Sequence, residues 1–143
     1  MSLQQIIYTS HATRLMRPDE LVELLRRSRE RNTKRGVSGL LLYADGSFMQ
    51  TIEGPFDTVH ALFAKIEADP RHGGLILICD EPIERRSFAE WSMAFREISA
   101  RESERIAGFK RLTSADPGST RDRDLARRLM QGFATTLGID GAS

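Results

Sequence analysis

The dipeptide Asp45-Gly46 separates two stretches of strand-forming residues, Gly36-Val37-Ser38-Gly39-Leu40-Leu41-Leu42-Tyr43 and Ser47-Phe48-Met49-Gln50-Thr51-Ile52-Glu53. A two-residue Asp-Gly link adopts the turn whose twist matches paired strands, so this segment reads as an antiparallel hairpin. The first arm is almost wholly apolar, as in a buried strand. In the second arm period two places Phe48, Gln50 and Ile52 on one face, and Met49 and Thr51 on the other. If the first set faces the core, the Gln50 amide sits between two large apolar residues and needs partners in the chain or in a ligand.

The rest of the chain builds around that hairpin. Leu3 to Thr9 is a strand, with Ile6, Tyr8 and Ser10 sharing a face. Pro18-Asp19-Glu20 opens a helix that runs to about Arg35, because proline suits the first helical position and carboxylates complement the positive end of the helix dipole. Its stripe Leu21, Leu25, Ser28 and Asn32 begins apolar and ends polar. Either the stripe emerges into solvent there or a polar ligand meets it. Val59, Leu62, Phe63 and Ile66 define a second amphipathic helix that stops before Asp69-Pro70. Leu75 to Cys79 reads as a fourth strand and Phe88 to Phe95 as a fifth, with Trp91, Met93 and Phe95 on one face.

The resulting order is β-α-β-β-α-β-β, an α+β, ferredoxin-like sheet with two helices on one face. Its first and third strands are central neighbours. Glu102 to Phe109 is expected to form a short helix, Ser114 to Thr120 a loop, and the stripe Leu125, Leu129, Met130, Phe133 and Leu137 a final helix ending at Gly138. That apolar tail covers either the second sheet face or a partner subunit.

With 143 residues, 40% hydrophobic and 29% charged, the chain has the composition of one ordinary globular domain. Its 21 basic and 20 acidic side chains leave a formal charge of +1, which gives no electrostatic reason to expect nucleic acid or a membrane as partner. No apolar run approaches a membrane span and no signal peptide opens the chain, so a cytoplasmic location is expected. The lone Cys79 sits in an apolar run and reads as a buried hydrophobe.

No nucleophile elbow, P-loop or dinucleotide fingerprint occurs. His11, His60 and His72 are too scattered for a metal site. The chain is therefore not expected to be an enzyme. The basic run Arg26, Arg27, Arg29, Arg31, Lys34 and Arg35 reads as solvated helix surface, apart from Arg31 beside Asn32. Tyr8 alone reads as a core aromatic. Yet the topology makes the first and third strands neighbours, so with Gln50 on the core face Tyr8 and Gln50 can come within hydrogen-bonding reach beneath the cleft between the helices, where Ser28 and Asn32 also face. A phenol, two amides and a hydroxyl around an apolar slot suit a flat heterocycle such as a flavin or a purine.

These residues also carry a resemblance. Ile6-Ile7-Tyr8-Thr9-Ser10, the run Arg31 to Tyr43, Gly46 to Gly54, Asp69-Pro70-Arg71-His72 and Arg86 to Met93 follow in the order and spacing of BLUF domains, blue-light sensors that bind FAD. The likeness spans about residues 3 to 97. It implies a flavin-binding domain over 1–97 with residues 98–143 as a helical cap of the same domain. It implies a photoreceptor in which Tyr8 gives an electron to the excited flavin and Gln50 rearranges its hydrogen bonds. Cofactor contacts are implied at Tyr8, Ser28, Arg31, Asn32, Phe48, Gln50, Ile66, Asp69, Arg71 and His72, with Trp91 and Met93 relaying the signal. FAD is the implied cofactor, and the ring-gripping residues admit FMN. Two positions depart from the family: Arg31 stands where asparagine or histidine is often found, and Thr51 where some members carry an aromatic residue. A short, stand-alone member is expected to signal through its C-terminal helices, to a separate protein or within a homo-oligomer. The alternatives are a light-insensitive flavin-binding or small redox protein, and an acylphosphatase-like hydrolase on the same fold. Against the last, Ser10-His11-Ala12-Thr13-Arg14 lacks a glycine-rich phosphate cradle.

Overall fold

A computed structural model of the chain describes residues 2–106, 108–113 and 120–140, without the side chains of 110, 120, 121 and 135–140. The elements are β1 (Leu3–Ala12), α1 (Pro18–Arg35), β2 (Ser38–Ala44), β3 (Ser47–Pro55), α2 (Phe56–Glu67), β4 (His72–Ile83), β5 (Ala94–Glu97), α3 (Ala100–Arg105), α4 (Phe109–Thr113) and α5 (Thr120–Asp140). The sheet runs β4-β1-β3-β2-β5, with β1 antiparallel to β3 and β4, and β2 antiparallel to β3 but parallel to β5. This is the α+β, ferredoxin-like arrangement, with helices following the sheet at the C-terminus.

Local chemistry sets the boundaries. Pro18 begins α1, and the Glu20 carboxylate accepts from the Arg17 backbone N–H at 2.9 Å while pairing with Arg14. Gly36 ends the helix at φ 70°, and the Asn32 carbonyl accepts from both Gly36 and Val37 N–H. The hairpin turn puts Asp45 at φ 46° and Gly46 at φ 87°, the conformation that Asp-Gly favours.

Both sheet faces are buried, which is why every residue of β2 is buried. Ile6, Tyr8, Leu41, Phe48 and Ile52 face α1 and α2, where Leu21, Leu25, Val59, Leu62 and Phe63 meet them. Ile7, Leu40, Leu42 and Met49 face the other way, onto Phe109, Leu112, Ala126, Leu129 and Met130 of α4 and α5. Leu125 and Phe133 pack at the margin of this second core, while the side chain of Leu137 and the loop at 114–119 lie outside the described residues. The amphipathic tail thus covers the second face of its own sheet. Two C-terminal helical segments follow the sheet, the first divided into α3 and α4 at Gly108, which has φ 84° and lies against Leu125. A Ser99–Glu102 capping box starts α3 at Ala100, two residues before the start expected from the sequence.

One strand differs from the sequence reading. The fifth strand is only Ala94–Glu97; Phe88 to Met93 is irregular, and Trp91 and Met93 do not share a face. Trp91 packs on the core beneath α4 and α5, whereas Met93 is buried on the α1–α2 side. The cause is a competing acceptor. Glu53, fully buried on β3, takes the backbone N–H of Ser87 and of Phe88 at 2.9 Å each, together with Gln5 Nε2 and Ser38 Oγ. Those amides are therefore lost to a ladder, and Trp91 N–H turns back to the Phe88 carbonyl.

Removing this acceptor strands two backbone donors in a buried place. Glu53→Ala is expected to lower stability by about 3 kcal/mol, with Glu53→Gln intermediate because one amide oxygen remains. Urea unfolding of the three proteins measures the order, and equal midpoints would contradict it.

Candidate functional site

Between α1 and α2, above the middle of the sheet, lies a cleft of about 230 Å³. It exceeds the roughly 150 Å³ that accommodates a benzene ring in an apolar cavity, so it can receive a substantial part of a fused ring system. Strands β1 and β3 supply its floor, since their register sets Tyr8 opposite Gln50 and Ser10 opposite Phe48. Opposed residues of an antiparallel pair point to the same face, so the phenol and the carboxamide come together by backbone geometry alone.

Tyr8 Oη donates to Gln50 Oε1, both side chains being buried. Gln50 Nε2 points at Met93 Sδ, 3.4 Å away. The Gln50 amide is thus held at both ends, by a strong donor and by a weak, polarisable acceptor. Burial raises the Tyr8 pKa well above the ordinary phenol value; nearby Arg31 opposes the rise and Asp69 adds to it. The phenol keeps its proton at any physiological pH.

The cleft is lined by Tyr8, Ser28, Arg31, Phe48, Gln50, Ile66, Asp69, Arg71 and His72, all positions where the resemblance implies cofactor contacts, and also by Met16, Leu24, Leu41 and Lys65. Leu24 and Leu41 were legible as apolar positions without a reason to single them out. Met16 precedes α1 in a loop, and Lys65 reads as helix surface, so nothing in the pattern marked either. Asn32, fully buried, stands just behind the lining; its Nδ2 donates to the Ser92 carbonyl at 2.7 Å. Trp91 and Met93 are outside the lining, Met93 reaching the site only through Gln50.

One end of the cleft is polar. His72 donates Nε2–H to the Ile66 carbonyl at 2.6 Å and, when neutral, accepts from Ser10 Oγ at Nδ1, 2.8 Å away. The Arg71 guanidinium pairs with Asp69 at 2.5 Å and holds that carboxyl below its usual range. Burial, and then Arg35, lower the Arg31 pKa from its usual value. Three more members of the basic run are ion-paired surface: Arg26 with Glu23 and Glu30, Arg27 with Glu23, Lys34 with Glu30.

Two buried polar atoms at the cleft end of α1 have no partner among the described residues, Asn32 Oδ1 and Arg31 Nε. Such orphans are costly and point to a missing partner. An acceptor and a donor on consecutive residues call for a ligand edge that presents both an N–H and a carbonyl.

The profile of the BLUF family, sensors of blue light using FAD, matches residues 3–94. The chain belongs to the BLUF family. BlrB, a BLUF protein solved in its dark state, superposes with a TM-score of 0.74 at 36% identity, covering 92% of this chain and 97% of that one. Among curated proteins, a photoactivated adenylate cyclase subunit beta of Euglena longa is 39% identical over 93 residues, and a subunit alpha of Euglena gracilis is 38% identical over 93. Each match covers 64% of this chain but only 11% and 9% of those relatives. The flavin implied by a BLUF domain fits the residues present: the apolar side chains of Phe48 and Ile66 beside the Tyr8–Gln50 pair, a helix-borne acceptor and donor, and a polar end that carries Arg71. Among the described residues, no cluster of ligating side chains could hold a metal ion, and no helix is long and apolar enough to cross a membrane.

The buried phenol generates an alkaline prediction. Its folded pKa is raised, so the stability tied to its proton is intact below pH about 10 and is lost as the pH rises above that value, by up to about 1.4 kcal/mol per pH unit. Urea unfolding at pH 9 and pH 11 should show this loss in the parent and a shallower one in Tyr8→Phe; equal losses would contradict the assignment.

Proposed function

We propose that this chain is a blue-light photoreceptor that binds FAD non-covalently in the cleft between α1 and α2. The observation that carries the reading is the Gln50 amide held between Tyr8 Oη and Met93 Sδ on the cleft floor. When bound, the flavin supplies blue-light absorption and an excited state able to take an electron from a nearby phenol. The residues that would hold it are Asn32 and Arg31 at the polar ring edge, Phe48 and Ile66 against its apolar faces, Ser28 beside Gln50, and Asp69, Arg71 and His72 at the cationic end.

The chain's own part is proton handling. Tyr8 keeps its proton on Oη while neutral; on losing an electron the phenol becomes strongly acidic and passes that proton to Gln50 Oε1, the acceptor already in contact. When the electron returns, the proton returns to Oη. Gln50 is left with its amide rotated, so that Nε2 no longer faces Met93 Sδ. Burial excludes water that would otherwise accept the proton. The signal then passes by way of Met93 and Trp91 to β5 and the C-terminal helices, and from there to a separate protein or a second copy of the chain. In this reading residues 1–97 are the flavin-binding domain, 98–143 are its helical cap, and the protein is a sensor without catalytic activity of its own.

The deciding measurement is the absorption spectrum of flavin-loaded protein before and after blue light. The parent should show a reversible red shift. Tyr8→Phe should bind flavin with affinity within about threefold of the parent and lose the shift, because only the hydroxyl is removed; a normal shift in that variant would refute the role of Tyr8. Gln50→Leu should likewise keep flavin and lose the shift. Amide hydrogen exchange in α5 should change on illumination, and identical exchange in light and dark would remove the proposed output route.

A further inference from the structure

Three successive carbonyls just before β5 are each held by a donor from another element. Trp91 O accepts from Gly39 N–H at 3.2 Å, Ser92 O from Asn32 Nδ2 at 2.7 Å, and Met93 O from Arg29 Nε at 2.8 Å. Arg29 lies on the half-buried flank of α1 and is not part of the cleft lining. Sequence reading had set it with the solvated arginines, yet its guanidinium is used internally. The residue whose carbonyl it holds is the one whose sulfur faces Gln50 Nε2 at 3.4 Å.

We infer that Arg29 is a positioning residue, a latch that holds the Met93 backbone so that Met93 Sδ meets Gln50 in the dark form and recaptures it after light. The inference rests on the photosensor reading above and extends it to a residue outside the cofactor site. A guanidinium bond to a carbonyl is charge-assisted, stronger than the neutral bond at Ser92 O beside it. Met93 is almost fully buried among close-packed neighbours, so a shift of the backbone at position 93 carries its sulfur away from Gln50. The latch opposes that motion. Once the Gln50 amide has turned, the sulfur loses its partner and Arg29 remains to return the segment to the dark geometry.

The test uses the full, flavin-loaded chain in three forms: parent, Arg29→Ala and Arg29→Lys, the last retaining a cation able to reach a carbonyl. Arg29→Ala should show the parental dark spectrum and a light-induced shift, but dark recovery slowed by more than about threefold, with Arg29→Lys between it and the parent. Labelling methionine carbonyls with carbon-13 gives a second readout. The parent should show a methionine carbonyl band in the light-minus-dark infrared spectrum, absent from Met93→Leu and displaced to higher frequency in Arg29→Ala. Recovery of Arg29→Ala within threefold of the parent or faster, or an unchanged methionine band, overturns the latch while the parent's shift leaves the photosensor reading standing. A parent with no shift overturns that reading and the latch with it.

Discussion

The antiparallel register between β1 and β3 is the constraint on which the site depends. It sets Tyr8 directly across from Gln50 on the two central strands, so the contact between phenol and carboxamide is fixed by ladder hydrogen bonds on both sides. A slip of one residue would turn Gln50 toward the α4–α5 core and bring Thr51 beneath the cleft. The neighbouring pairs guard against that slip, because Ile6 with Ile52 and Ser10 with Phe48 must be buried on the same face. The chemistry at the centre of the fold is therefore specified by the hydrophobic patterning around it.

Much of this was legible in the sequence. The Asp45-Gly46 turn and the apolar runs defined the hairpin, and the stripe on α1 showed its polar end at Ser28 and Asn32. Tyr8, Gln50 and the cleft between the helices followed from topology. What failed was local: Phe88 to Met93 reads as an alternating strand, and alternation cannot reveal that a buried carboxylate three residues beyond Gln50 takes the amides such a strand would need. The same blindness applied to Arg29, whose spacing matches the exposed arginines and whose internal acceptor is a backbone carbonyl 64 residues away. Side chains that satisfy distant backbone groups leave no periodic trace.

Glu53 and Asn32 act alike in this respect. Each uses a side chain to satisfy backbone groups of the irregular segment, one from the sheet and one from α1. The segment is thus ordered without belonging to a ladder. That is a physical basis for a part of the molecule that is fixed in one arrangement yet free of the cooperative pairing that locks a strand in place.

Trp91 and Met93, two residues apart, are rooted on opposite sides of the sheet. Close-packed interiors do not yield by fractions of a side chain, so a shift of this segment that leaves a void above the sheet must crowd the layer below it. In the proposed photocycle, turning of the Gln50 amide would therefore act on a two-position element, with the sheet itself as the partition between input and output.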